Sequence, residues 1–142
     1  MEEKFKELIK YTSTLKVLFV EDNEEVRIQL LKLLENFFTD IQIEKDGITA
    51  YENYIKNPNN YDLVITDLSM PKLDGIELSK RIMELNSKQI IIIISAHTES
   101  EKLLKLIDIG VYKFLTKPVD YKNLLETFFS VVEKIKKKER VS

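Results

Sequence analysis

Five short apolar runs recur at fairly even intervals along the 142 residues, at 16–20, 41–44, 63–66, 90–94 and 113–115, and a segment of helical periodicity follows each one. Several runs are rich in Val and Ile and close on polar or turn residues, the signature of strands buried on both faces of a parallel sheet. Between them Val26, Leu30, Leu33, Leu34 and Phe37 fall at helical spacing, as do Leu124, Phe128, Val131, Val132 and Ile135. The pattern reads βαβαβαβαβα. Because crossovers between parallel strands are almost always right-handed, this alternation predicts an α/β fold with one parallel sheet and helices on both faces.

Punctuation agrees with that division. Thr98-Glu-Ser-Glu101 predicts a capping box opening the helix after the fourth strand, and Gly110 stands where the left-handed residue at its end belongs. Asp74, with Glu77 three residues on, predicts the start of the helix after the third strand, and Asp120 that of the last. Ahead of the first strand, Phe5, Leu8, Ile9 and Thr12 form a weak amphipathic stripe, which predicts a short N-terminal helix within 1–14. One folded domain is expected over 15–135, followed by a basic tail or linker at 136–142.

Composition narrows the chemistry. With 44% hydrophobic and 32% charged residues, three Gly and three Pro, the chain has the make-up of an ordinary globular domain. It has no cysteine and one histidine, which excludes thiolate nucleophiles, disulfides and Cys-ligated zinc, so any metal must be held by oxygen. The longest apolar run is far too short to span a bilayer and the sequence opens without a signal-peptide pattern, so a cytoplasmic protein without membrane contact is expected. A formal net charge of −2 argues against direct nucleic-acid binding; only 134–140 is locally basic, as solvated helix ends commonly are.

The candidate chemistry lies at the strand ends. The first strand ends in Glu21-Asp22, the third in Asp67, the fourth in Ser95, and the fifth leads into Lys117-Pro118. Ligands of open parallel sheets bind outside the carboxyl ends of the strands, where the strand order reverses. Three carboxylates gathered there repel one another unless a cation is present, and Mg²⁺ is the hard, oxygen-seeking ion that suits them. With a lysine and a hydroxyl nearby, such a crevice can neutralise a transferring phosphoryl group, and Asp67 can be the nucleophile that forms an acyl phosphate. Any one of these acids alone would be read as a helix cap or a solvated loop residue.

Glu21-Asp22, Asp67-Leu-Ser-Met-Pro-Lys-Leu-Asp-Gly75, Ser95-Ala96 and Lys117-Pro118 together resemble the motifs of response-regulator receiver domains (the CheY-like family), over roughly residues 15–135. The resemblance implies a flavodoxin-like doubly wound sheet of strand order 2-1-3-4-5. It also implies Asp67 as phospho-acceptor, Asp22 and Asp67 as direct Mg²⁺ ligands, Glu21 acting on the ion through water and Ser69 offering its backbone carbonyl. Ser95 matches the family's switch hydroxyl, Phe114 its switch aromatic, and Pro118 a proline in a cis bond that aims Lys117. Two plainer readings stand beside these: Phe114 as a core aromatic and Pro118 as a helix-starting proline. Ser69 and His97 occupy places that tend to tune how fast water removes the phosphate in this family, although an exposed loop residue is the reading preferred for His97.

The expected function is therefore a switch rather than an enzyme with an external product. It takes a phosphoryl group from a sensor histidine kinase or histidine phosphotransfer protein and changes the surface made by the fourth and fifth helices of the repeating pattern and the fifth strand. That surface would meet a downstream effector protein or domain, or a second copy, with Lys102, Lys105, Tyr112 and Tyr121 assigned to it on location alone. Two rivals are a phosphorylation-independent protein-binding module and an Asp-nucleophile phosphohydrolase of the haloacid-dehalogenase type. The second resembles a D-x-D pattern, whereas Asp67 is followed by Leu68 and Ser69.

Overall fold

In the computed structural model, which describes residues 2–96 and 101–141, the elements run α1 (Glu2–Thr12), β1 (Lys16–Val20), α2 (Glu24–Leu34), β2 (Asp40–Glu44), α3 (Gly47–Lys56), β3 (Leu63–Asp67), α4 (Gly75–Leu85), β4 (Ile91–Ser95), α5 (Leu103–Ile109), β5 (Lys113–Thr116) and α6 (Tyr121–Val141). All four strand pairings are parallel, and the order is β2-β1-β3-β4-β5. This is the expected doubly wound sheet, with the amino-terminal helix as a sixth helix. The strand order reverses between β1 and β3, the neighbours of unequal rank.

Residue parity divides the core in two. Val17 and Phe19 of β1, with Leu63 and Ile65 of β3 and Ile92 and Ile94 of β4, face α1, α2 and α6; Leu18, Val20, Val64, Ile91 and Ile93 face α3, α4 and α5. Both faces of the central strands are thus covered, which is why their sequences show no polar alternation. The edge strand β2 has no fully buried residue.

Helix starts are fixed by side-chain caps. Asn23, Asp46, Asp74 and Asp120 accept backbone N–H bonds from Val26 (3.0 Å), Thr49 (2.7 Å), Glu77 (2.9 Å) and Asn123 (2.8 Å). Gly110 closes α5 at φ 104°, and its N–H donates to Leu106 and Ile107 carbonyls, both at 3.1 Å. Of the capping box expected before α5, Thr98 to Ser100 lie outside the described residues, as does His97.

Helix α1 buries Leu8 and Thr12 against the first half of the core. The Thr12 hydroxyl donates to the Phe37 carbonyl (2.6 Å), the Tyr11 hydroxyl donates to Glu139 of α6 (3.0 Å), and the Lys136 ammonium sits 5.2 Å from the Tyr11 ring centre. The last helix continues through 136–141, the stretch set apart above as tail or linker. Among the described residues no helix is long and apolar enough to cross a membrane.

Candidate functional site

The strand register brings the predicted residues together. Val20 pairs with Thr66, Asp67 with Ile94 and Ser95 with Thr116, so Glu21, Asp67, Ser95 and Lys117 emerge at the same end of four adjacent strands. Carboxylate oxygens of Glu21, Asp22 and Asp67 all lie within 4.8 Å of one another. The Lys117 ammonium spans two of them, 3.0 Å from Asp67 Oδ1 and 3.2 Å from Glu21 Oε1. Glu21, Asp67 and Ser95 are buried while Asp22 is exposed, which gives the crevice one open side.

The two oxygens of Asp67 differ. Oδ1 accepts the Leu68 N–H (3.0 Å) and faces Lys117, and no described residue bonds to Oδ2. The loop after β3 is drawn in tightly behind it: the Gly75 N–H donates to the Leu68 carbonyl (2.7 Å), and a Cβ on Gly75 would stand 2.4 Å from the Asp67 carbonyl oxygen. Only glycine allows that approach. On the other wall, Glu21 Oε2 accepts the Asn23 N–H (3.1 Å), and Arg27 Nη1 donates to the carbonyls of Glu21 (3.1 Å) and Asp22 (3.4 Å).

Electrostatics mark the site as short of positive charge. Burial first, and the Asp67 charge second, push the Glu21 carboxyl up to about 7. Burial also raises Asp67, against the opposing hydrogen bond from Lys117. Lys117 is pulled down by burial, yet the hydrogen bond and charge of Asp67, then Glu21, outweigh this and leave it raised. Glu21 Oε1 lies at ion-pair distance from Lys117 but receives no well-aligned hydrogen bond. Three carboxylates lie together with one ammonium that reaches two of them, and the donor set is all oxygen, so the residues fit a hard divalent cation.

Of the remaining predicted residues, Ser69 follows two positions after Asp67 and is exposed. Phe114 is half-buried on β5 and packs against the second half of the core. The Lys117–Pro118 peptide bond is cis. Tyr121, the first residue of α6, is exposed, and one side of its ring stacks on Phe37 at 5.5 Å. Asn23, Arg27 and the close approach at Gly75 were not singled out as parts of the site. The Asp-Gly pair at 74–75 was the available signal, read as a helix start and as the end of the motif that begins at Asp67.

Comparison with known proteins places these features in a family. A family model described as the response regulator receiver domain matches residues 17–129. The chemotaxis protein CheY of Treponema pallidum (strain Nichols) is 32% identical over 119 residues, covering 83% of this chain and 83% of its own. The transcriptional regulatory protein RprY of Bacteroides fragilis (strain YCH46) is 27% identical over 132 residues, and there the chain spans 93% of itself but only 55% of the relative. Among solved structures, the CheX–CheY–BeF3–Mg²⁺ complex from Borrelia burgdorferi is similar with a TM-score of 0.75 and 31% identity, covering 83% of this chain and 89% of that one.

Proposed function

The chain belongs to the response regulator receiver domain family, whose members are phosphorylation-accepting signalling switches, and from that premise we propose that Asp67 is the residue that takes the phosphoryl group, from a phosphohistidine on a sensor kinase or phosphotransfer protein. The observation that carries the assignment is the Asp67 carboxylate itself: buried at a strand end, held by Lys117 and Leu68 through Oδ1, with no described residue bonded to Oδ2. Oδ2 attacks phosphorus; a new P–O bond forms as the P–N bond of the donor breaks, and the electron pair leaves with the imidazole nitrogen. Lys117 keeps its ammonium beside the oxygens on which charge accumulates. Asp22 and Asp67 carboxylates and the Ser69 carbonyl would hold Mg²⁺, with Glu21 acting through water. When bound there, the ion supplies further neutralisation of the phosphoryl oxygens. The Borrelia burgdorferi relative, solved with BeF3 and Mg²⁺, supports that ion.

Ser95 Oγ, which bonds to no described residue, then donates to the phosphoryl group. Its movement vacates space into which the half-buried Phe114 ring turns, changing the surface of α5, β5 and α6 that an effector protein or domain, or a second copy, would read. A recess of about 370 Å³ beside Lys117 and Pro118, walled by Val26, Leu30, Leu33 and Val119, gives the phospho-donor an apolar footing next to the crevice. A cytoplasmic location goes with this reading.

Intact-mass measurement after incubation with acetyl phosphate or phosphoramidate tests the assignment. Wild type should gain one phosphoryl mass only when Mg²⁺ is present, and Asp67→Ala should gain none. Equal labelling of both proteins would remove Asp67 from the role, and no labelling of wild type would favour a phosphorylation-independent binding module.

A further inference from the structure

The molecule has a second concentration of unbalanced charge, at the pole opposite Asp67 and of the opposite sign. Lys88 lies three residues ahead of β4, and Lys134 and Lys138 project one helical turn apart on α6. These three residues line both of two adjoining cavities, of about 330 and about 790 Å³. None of the three forms a salt bridge with any described residue.

Asp62 and Glu139 line the larger cavity only, beside Lys88, Lys134, Lys137 and Lys138, and the smaller one has three lysines and no carboxylate; Asp62 Oδ2 accepts the Lys16 N–H (2.8 Å), and Glu139 accepts the Tyr11 hydroxyl (3.0 Å). Lys134 stands 5.2 Å from the Tyr112 ring centre, and Lys138 donates to the Lys88 carbonyl. The carboxyl-terminal ends of α4 and α5 also reach this pole, and their carbonyl dipoles, each about half a charge, offset only part of three full positive charges. Partial desolvation, followed by the charges of Lys134 and Lys88, pushes the Lys138 ammonium below its usual range. Like charges in excess of their counter-charges are relieved by an anion, as the carboxylates of the opposite pole are relieved by a cation.

We propose that this lysine-lined recess is a second binding site, for a small condensed phosphate such as pyrophosphate or the diphosphate of a nucleotide. Ammonium groups offer only donors, which matches the acceptor-only oxygens of phosphate, and the Ser87 hydroxyl at the cavity wall adds another. No arginine lines either cavity, so the planar fork that best recognises carboxylates is missing from it. The smaller cavity has the volume of a small-molecule pocket rather than of a groove for a peptide helix.

The test uses the full chain without Mg²⁺, so that the acidic pole repels anions, and titrates it with pyrophosphate, with ADP and with sulfate at matched ionic strength. Pyrophosphate should bind once by calorimetry and shift the backbone amides of Ser87, Lys88 and Gly110 to Tyr112. Lys134→Gln combined with Lys138→Gln should weaken it about tenfold, and Lys80→Gln should leave it unchanged. ADP binding more tightly than pyrophosphate identifies a nucleotide as the ligand; weaker binding identifies the inorganic form. The proposal is overturned if those amides of wild type do not move, if sulfate reproduces shifts and affinity, or if an Asp/Glu-rich peptide binds more tightly than pyrophosphate, which would make the recess a protein-docking surface.

Discussion

A methyl group at position 75 would stand 2.4 Å from the carbonyl oxygen of the residue that carries the proposed chemistry, and 2.9 Å from Leu68 Cα. Both neighbours are backbone, so relief requires moving the end of β3. Gly75→Ala should therefore cost about 1–3 kcal/mol in a denaturant melt and slow acetyl-phosphate labelling of Asp67. Full labelling speed in a destabilised variant would show that the loop can shift without disturbing the carboxylate. Glu21 gives a prediction of pH dependence. Its folded value of about 7 lies above the ordinary 4.5, so within that window the folded chain holds a proton that the unfolded chain has released. This contribution to stability is complete below the ordinary value and is lost as pH rises through the folded one; Asp67, also raised, acts in the same sense. Without divalent cations the melting temperature should thus fall between about pH 5 and about pH 8, Glu21→Gln should flatten the slope, and Mg²⁺ should stabilise more at the upper end. A wild-type melting temperature that climbs over that interval would contradict the assignment. The acids themselves were readable from the sequence because each ends an apolar run. Their bracing by the Asn23 N–H and by Arg27 was not, since a backbone group as hydrogen-bond donor or acceptor leaves no trace in residue type.

Among the elements, the strands and capped helices were the most legible, because period and cap chemistry are local properties: Asp74 and Asp120 cap the helices they were expected to start. The extent of α6 was not. Its basic end was read both as a solvated helix end and as a tail or linker, but Lys, Glu and Arg are good helix formers, and charge alone does not end a helix. The stripe on α1 was visible, while its seat on Phe37 and α6 depends on contacts remote in sequence. Leu8 is 3% exposed in that seat. Leu8→Ala should lower unfolding free energy by about 2–4 kcal/mol, and Thr12→Val, which removes a bond to the Phe37 carbonyl, by about 1 kcal/mol. Chemical denaturation followed by circular dichroism measures both. Because α1 contributes no residue to the crevice, Asp67 labelling should survive in either variant.

For the whole molecule, a parallel sheet covered on both faces makes the centre the most protected region. Amide exchange should be slowest in β1, β3 and β4 and faster in β2 and β5, whose outer edges are unpaired. Equal protection across all five strands would argue for an additional partner on an edge. Apolar runs alternating with helical segments foretold this layering, whereas the lysine pole was hidden: Lys88 and Lys138 are 50 residues apart, and only the return of α6 past the start of β4 brings them together. The same return bears on how the chain is made. Helix α1 has 11 residues, too few to be stable alone in water, where isolated helices shorter than about 12–15 residues are marginal. Tyr11 finds its partner 128 residues later, at Glu139. On a ribosome α1 therefore emerges long before the helix that secures it, and a nascent chain paused before α6 would display the Leu8 stripe to any chaperone at hand.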